Sequence, residues 1–221
     1  MSEVLTYHAP LAVHFESRML SELPIIGNQL VVKSAHQPLE LPKMGLQKWL
    51  AKLPKIGDDS PVPMDIDLSC GLYNDKGELL EVVWYGKVRS LYESVRHHGD
   101  TFIGMNKAYR PSMVEESLSI RIWELDEQVS RLAVFVHSHN LQDLNLAPFG
   151  NIYLSDNEGK LIHETPFASF EEGVTGVCAW QFVKMRDGDW RVSAPMSAVK
   201  AKNSAEIAKK WHLSLIHISE P

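Results

Sequence analysis

From about residue 60 to residue 196 the chain alternates apolar and polar residues in short runs, and this period of two constrains the fold more than any other feature. Met64, Ile66 and Leu68 alternate with Asp65, Asp67 and Ser69. In SLSIRIWEL (117–125), Leu118, Ile120 and Ile122 alternate with Ser119, Arg121 and Trp123. Alternation places the apolar residues on one face of a pleated strand, so each run predicts a half-buried β-strand. RLAVFVHSH (131–139) is nearly all apolar, as expected of a central strand. NIYL (151–154), KLIHE (160–164), VCAWQFVKM (177–185) and DWRVSA (189–194) complete the series.

Turn signals separate these runs at YNDKGE (73–78), SDNEGK (155–160) and RDGD (186–189). Short strands at such spacing, with no helix between them, predict an all-β chain built as an antiparallel β-sandwich. Helix is expected only as a turn near Leu125–Val129 and as a C-terminal segment around Ser204–Trp211. The first 60 residues differ. They carry prolines at 10, 24, 38, 42 and 54, a candidate strand at QLVVKSA (29–35), and a loop at KIGDDSPVP (55–63). The reading divides the chain into an N-terminal extension (1–36), a sandwich domain (37–200) and a C-terminal helix (201–212). LSLIHISEP (213–221) reads as a translated sequencing-library adapter and is set aside.

With 221 residues and 44% apolar content, the chain is long enough to bury a substantial core. A net charge of −6 argues against a broad nucleic-acid-binding face. Cys70 and Cys178 stand alone in apolar stretches, which predicts buried, reduced thiols rather than a zinc motif. No apolar run approaches the ~20 residues of a membrane-spanning helix.

A hard cation takes about six to eight oxygens, gathered from loops at one end of a scaffold. GDDS (57–60), DID (65–67), GDT (99–101) and VEES (114–117) are oxygen-rich and lie near predicted strand ends. Asp65 and Asp67 are either cation ligands at a sheet rim or the wet face of a half-buried strand. HHGD (97–100) and HSHN (137–140) offer four imidazoles, with Glu124 or Asp143 as acidic companions for a transition-metal or hydrolytic centre. They lack the H-E-x-x-H pattern and are expected to be surface loop histidines. No G-x-S-x-G elbow or phosphate-binding glycine loop occurs, so nothing in the sequence indicates an enzyme. The six tryptophans are expected to pack in the core or across strands.

The order of these pieces resembles the TerD family, the bacterial tellurite-resistance and stress proteins. PMDIDLSCGLYNDKGEL is followed by EVVWYG, VRHHGD, an acidic cluster, PFGNIYLSDNEGKLI and AWQFVKMRDGDWRVSA, and GLQKW (45–49) precedes them all. The resemblance covers about residues 37 to 198. It implies a β-sandwich that binds Ca²⁺ at loops on one edge, without catalytic activity. Carried over by position, Asp65, Asp67, Asp100, Glu115 and Glu116 become the expected calcium ligands. It also implies a cytoplasmic stress-response protein acting through other proteins or peripheral membrane association. The chain departs from the family pattern at Thr101, at Lys107 and Arg110, and in having glutamates rather than aspartates in the acidic cluster. Those departures leave open a metal-independent interaction module that has lost the calcium site. A hydrolase using the His-rich segments is a third, more distant alternative.

Overall fold

The computed structural model describes residues 15–41, 61–99, 113–200 and 203–215. Two antiparallel sheets face each other. The first contains β1 (Arg18–Met19), β5 (Ile66–Tyr73), β6 (Leu79–Trp84), β9 (Arg131–Ser138), β12 (Gly176–Lys184), β13 (Trp190–Ser193) and β14 (Ser197–Ala198). Its order is β1-β13-β12-β9-β5-β6, with β14 pairing β12. The second contains β2 (Leu30–His36), β7 (Val95–His97), β8 (Val114–Ile120), β10 (Asn151–Asp156) and β11 (Leu161–Pro166), ordered β11-β10-β2-β8-β7. A small ladder joins β3 (Glu40–Leu41) to β4 (Val62–Pro63).

The alternation in sequence explains the core. Ile66, Leu68, Cys70 and Leu72 of β5 point inward, meeting Leu30, Val32, Leu118, Ile120, Ile152 and Leu154 of the other sheet. β5 is buried along its whole length, and at its Tyr73 end a second, smaller core covers the outer face. There Tyr73, Ala133, Phe135 and Cys178 pack beneath Ile207, Ala208 and Trp211 of the helix α1 (Ser204–Leu215). The Tyr73 hydroxyl donates to the Ala208 carbonyl at 3.0 Å and pins the helix. Both cysteines are free thiols and buried.

The three anticipated turns close hairpins, with Gly77, Gly159 and Gly188 at φ of +77°, +83° and +88°. Such angles suit glycine, which has no Cβ to clash. Four expectations need correction. Residues 30–36 are not part of an extension, because β2 lies between β10 and β8 in the second sheet. β1 also pairs with β13, so the sandwich begins well before residue 37. The helical turn forms at Ile122–Glu124 rather than Leu125–Val129. The terminal helix continues to Leu215, past the residue 212 boundary. The GLQKW segment (45–49) and the GDDS stretch (57–60) lie outside the described residues.

Candidate metal centre

A mismatch in strand length opens one corner of the sandwich. β6 ends at Trp84, opposite Ser69, while β5 continues to Ile66 and pairs with β9 as far as Ser138. One step further, the His139 N–H donates to the Asp65 carbonyl at 2.9 Å and extends the ladder. The turn after β9 is tied down by the Asn140 and Gln142 amides, which donate to the Pro63 and Val62 carbonyls.

Asp67 stands in register with His137. Side chains two apart on a strand share a face, so Asp65, Asp67, His137 and His139 form one four-residue grid. Asp65, Asp67 and His139 each present a ligand atom within 4.8 Å of the others. Asp67 Oδ2 lies 3.2 Å from His139 Nδ1 and 3.3 Å from His137 Nε2. Asp67 and His137 retain 2% and 3% side-chain exposure, whereas His139 retains 45% and forms the solvent side of the grid.

Glu116 approaches from the second sheet. Its Oε2 accepts the Leu68 N–H at 2.7 Å, a donor left without a strand partner where β6 stops. The Gly99 N–H donates to His97 Nδ1 at 3.0 Å, which leaves the ring proton on Nε2. Nε2 therefore donates to Glu116 Oε2 across 3.3 Å. Gly99 reaches this position at φ +94°, where a larger residue would be strained.

Burial pushes the Asp67 carboxyl up to about 8, and the neighbouring charges of Asp65 and Glu116 add to the rise. Contact with His139 offsets only part of it. Burial, followed by the charge of His139, lowers His137 to about 4. Near neutral pH, without a cation, Asp67 is protonated and His137 is neutral, so their contact is not an ion pair. Among the described residues, Asp67 Oδ1 and both His137 ring nitrogens are buried without a hydrogen-bond partner. An unsatisfied buried polar group costs about 1–3 kcal/mol, a cost that a coordinated cation would remove.

The structure brings together Asp65 and Asp67 and places Glu116 beside them. Glu115 does not join them. It occupies the opposite face of β8 and forms an exposed ion pair with Lys33 at 2.7 Å. Adjacent strand residues point to opposite sides, so only one of the two glutamates can face the corner. Asp100, Lys107 and Arg110 lie outside the described residues. The expectation of surface loop histidines fails at His97 and His137, which sit on strands with about 2% of each residue exposed. The missed signal was the HxH alternation of residues 137–139, which has the same period as the DxD of residues 65–67.

The donors fit a divalent cation, but they are not an all-oxygen set. A hard cation such as Ca²⁺ prefers carboxylate, carbonyl and water oxygens, whereas two imidazoles stand among the carboxylates here.

The fold and corner define an antiparallel β-sandwich carrying a cluster of acids and imidazoles on one rim. No family model matches the chain. It is 24% identical over 138 residues to the tellurium resistance protein TerZ of Serratia marcescens. That match covers 62% of this chain and 66% of TerZ, just under two thirds of the relative's length. The fold is shared with a homologue of the telluride resistance protein TerD from Streptomyces coelicolor, with a TM-score of 0.56 at 14% identity. That likeness covers 84% of this chain and 98% of the homologue. A crystal structure of a protein of unknown function matches with a TM-score of 0.59 at 15% identity, covering 85% and 98% of the two chains. Together the sequence match and the shared fold support a divergent TerD-like protein.

Proposed function

We propose that this chain is a non-enzymatic, cation-responsive protein of the tellurium-resistance type that works by associating with other proteins. A divalent cation held at Asp65 and Asp67 would displace the Asp67 proton and bind both carboxylates. It would also order the rim formed by residues 61–68 and 137–142 and so present a contact surface. Calcium is the ion implied by the family resemblance. The supporting observation is the convergence of Asp65, Asp67 and His139 ligand atoms around a buried carboxyl that has one unpartnered oxygen. Among the described residues no helix is long and apolar enough to cross a membrane.

A metal-independent interaction module is the second reading. Asp67 already meets two imidazoles, and Glu116 already accepts from Leu68 and His97. Such a corner can hold its charge balance through the protein alone.

Thermal unfolding of metal-depleted protein against a series of divalent ions separates the two. A cation binding only the folded state at a hundredfold excess over Kd adds about 2.7 kcal/mol. In a chain of this size that corresponds to a rise of roughly 5–10 °C in Tm. The cation-responsive reading expects this rise with at least one ion and its loss in Asp65→Asn/Asp67→Asn. No shift with any ion would leave the metal-independent module.

A further inference from the structure

The corner's donors are better matched to a metal of different chemistry from the one the family resemblance implies. Four side chains share one face of the β5–β9 ladder, two carboxylates from β5 and its extension and two imidazoles from β9 and its extension. Asp65, Asp67 and His139 bring ligand atoms within 4.8 Å of one another, and His137 adjoins the group at Asp67. His137 is the informative member. It is buried, both ring nitrogens lack hydrogen-bond partners among the described residues, and its Nε2 lies 3.3 Å from Asp67 Oδ2. A buried imidazole without a partner in a structural role would be costly, and coordination gives its lone pair a use.

The distances suit a small ion. Two ligands bound at about 2.0–2.1 Å and separated by the tetrahedral angle lie roughly 3.3–3.4 Å apart. His139 Nδ1 and His137 Nε2 lie 3.2 and 3.3 Å from Asp67 Oδ2. Imidazole nitrogens suit Zn²⁺, Ni²⁺, Cu²⁺ and Fe²⁺, whereas Ca²⁺ gains little from them and needs more oxygens than these side chains supply.

We propose that Asp65, Asp67, His137 and His139 form a mixed nitrogen–oxygen site that takes an imidazole-binding divalent transition metal, of the Zn²⁺ class, in preference to Ca²⁺. This rests on the reading that the corner holds a cation and specifies which kind. The ion enters from the His139 side, the solvent-facing part of the grid. It binds neutral imidazoles and ionised carboxylates, so the proton on Asp67 leaves to solvent as the metal arrives.

The test uses metal-depleted full-length protein with Co²⁺ as a coloured substitute for Zn²⁺. Co²⁺ should give the strong visible bands of a four-coordinate centre. Zn²⁺ should bleach them at one equivalent, and a large excess of Ca²⁺ should leave them unchanged. His139→Gln, at an exposed position, should fold normally and lower Zn²⁺ affinity by at least about tenfold. His137→Gln provides a second reading from the buried side. If Ca²⁺ displaces Co²⁺, or if His139→Gln binds Zn²⁺ as tightly as the wild type, the transition-metal assignment is overturned while the cation reading stands. If no divalent ion binds, both readings fall together.

Discussion

Asp67 and His137 face each other across the β5–β9 ladder, and the burial they share drives their proton affinities in opposite directions. The carboxyl is raised to about 8 and the imidazole is lowered to about 4. In metal-depleted protein, folded Asp67 keeps a proton that the unfolded chain releases, so its contribution to stability falls as pH rises toward 8. His137 acts in reverse between about 4 and its ordinary 6.5, where the unfolded chain takes up a proton that the native state refuses. The two effects oppose each other below 6.5 and leave Asp67 alone above it. Unfolding free energy measured in urea should therefore decline from pH 6.5 to 8, by on the order of 2 kcal/mol. Asp67→Asn should flatten that segment. A decline that persists unchanged in Asp67→Asn would assign it to other groups.

Glu116 and Glu115 should respond differently to the same change. Glu116→Ala strands the Leu68 N–H and the His97 Nε2–H in a buried site, which should cost about 2–3 kcal/mol in chemical denaturation. Glu115→Ala removes an exposed pair with Lys33 and should change stability by less than about 1 kcal/mol. Equal losses at the two positions would contradict the placement of Glu116 at the corner and Glu115 on the outer face.

How much of this was legible in the sequence follows from what a period of two encodes. Alternation identified the strands, because Ile66, Leu68 and Leu72 must share a face if they share a parity. It also made Asp65 and Asp67 neighbours on one face. It could not state which strand lay beside them, since pairing is set by hydrogen bonding between distant segments. His137 and His139 therefore looked like an unrelated loop until the ladder placed residue 67 against residue 137. The glutamates show the same limit. Alternation requires Glu115 and Glu116 to separate, and only the position of β8 between β2 and β7 shows which one turns inward. The strand at 29–35 was anticipated, but its placement in an extension outside the sandwich failed for a different reason. Its neighbourhood is rich in proline, which resembles a linker, while its own residues Leu30 to His36 are regular strand formers.

The helix should report on the outer core independently of the corner. Tyr73→Phe removes the hydroxyl that donates to the Ala208 carbonyl, a buried bond that adds to the carbonyl's place in the helix ladder. A loss of about 1–2 kcal/mol is expected. Amide exchange should become faster in residues 204–211 while β5 and β9 stay protected. Uniform acceleration across the sandwich would mean that the helix is an integral part of the main folding unit rather than a cover over one face.

In the proposed function, Asp65 and Asp67 hold a divalent cation in the native protein. Equilibrium dialysis of metal-depleted protein against divalent ions, followed by elemental analysis of the retained metal, tests it most directly. One ion per chain is expected for the wild type, with a fall to near background in Asp65→Asn/Asp67→Asn. Wild type and the double variant retaining the same amount of metal, or neither retaining any, would contradict it.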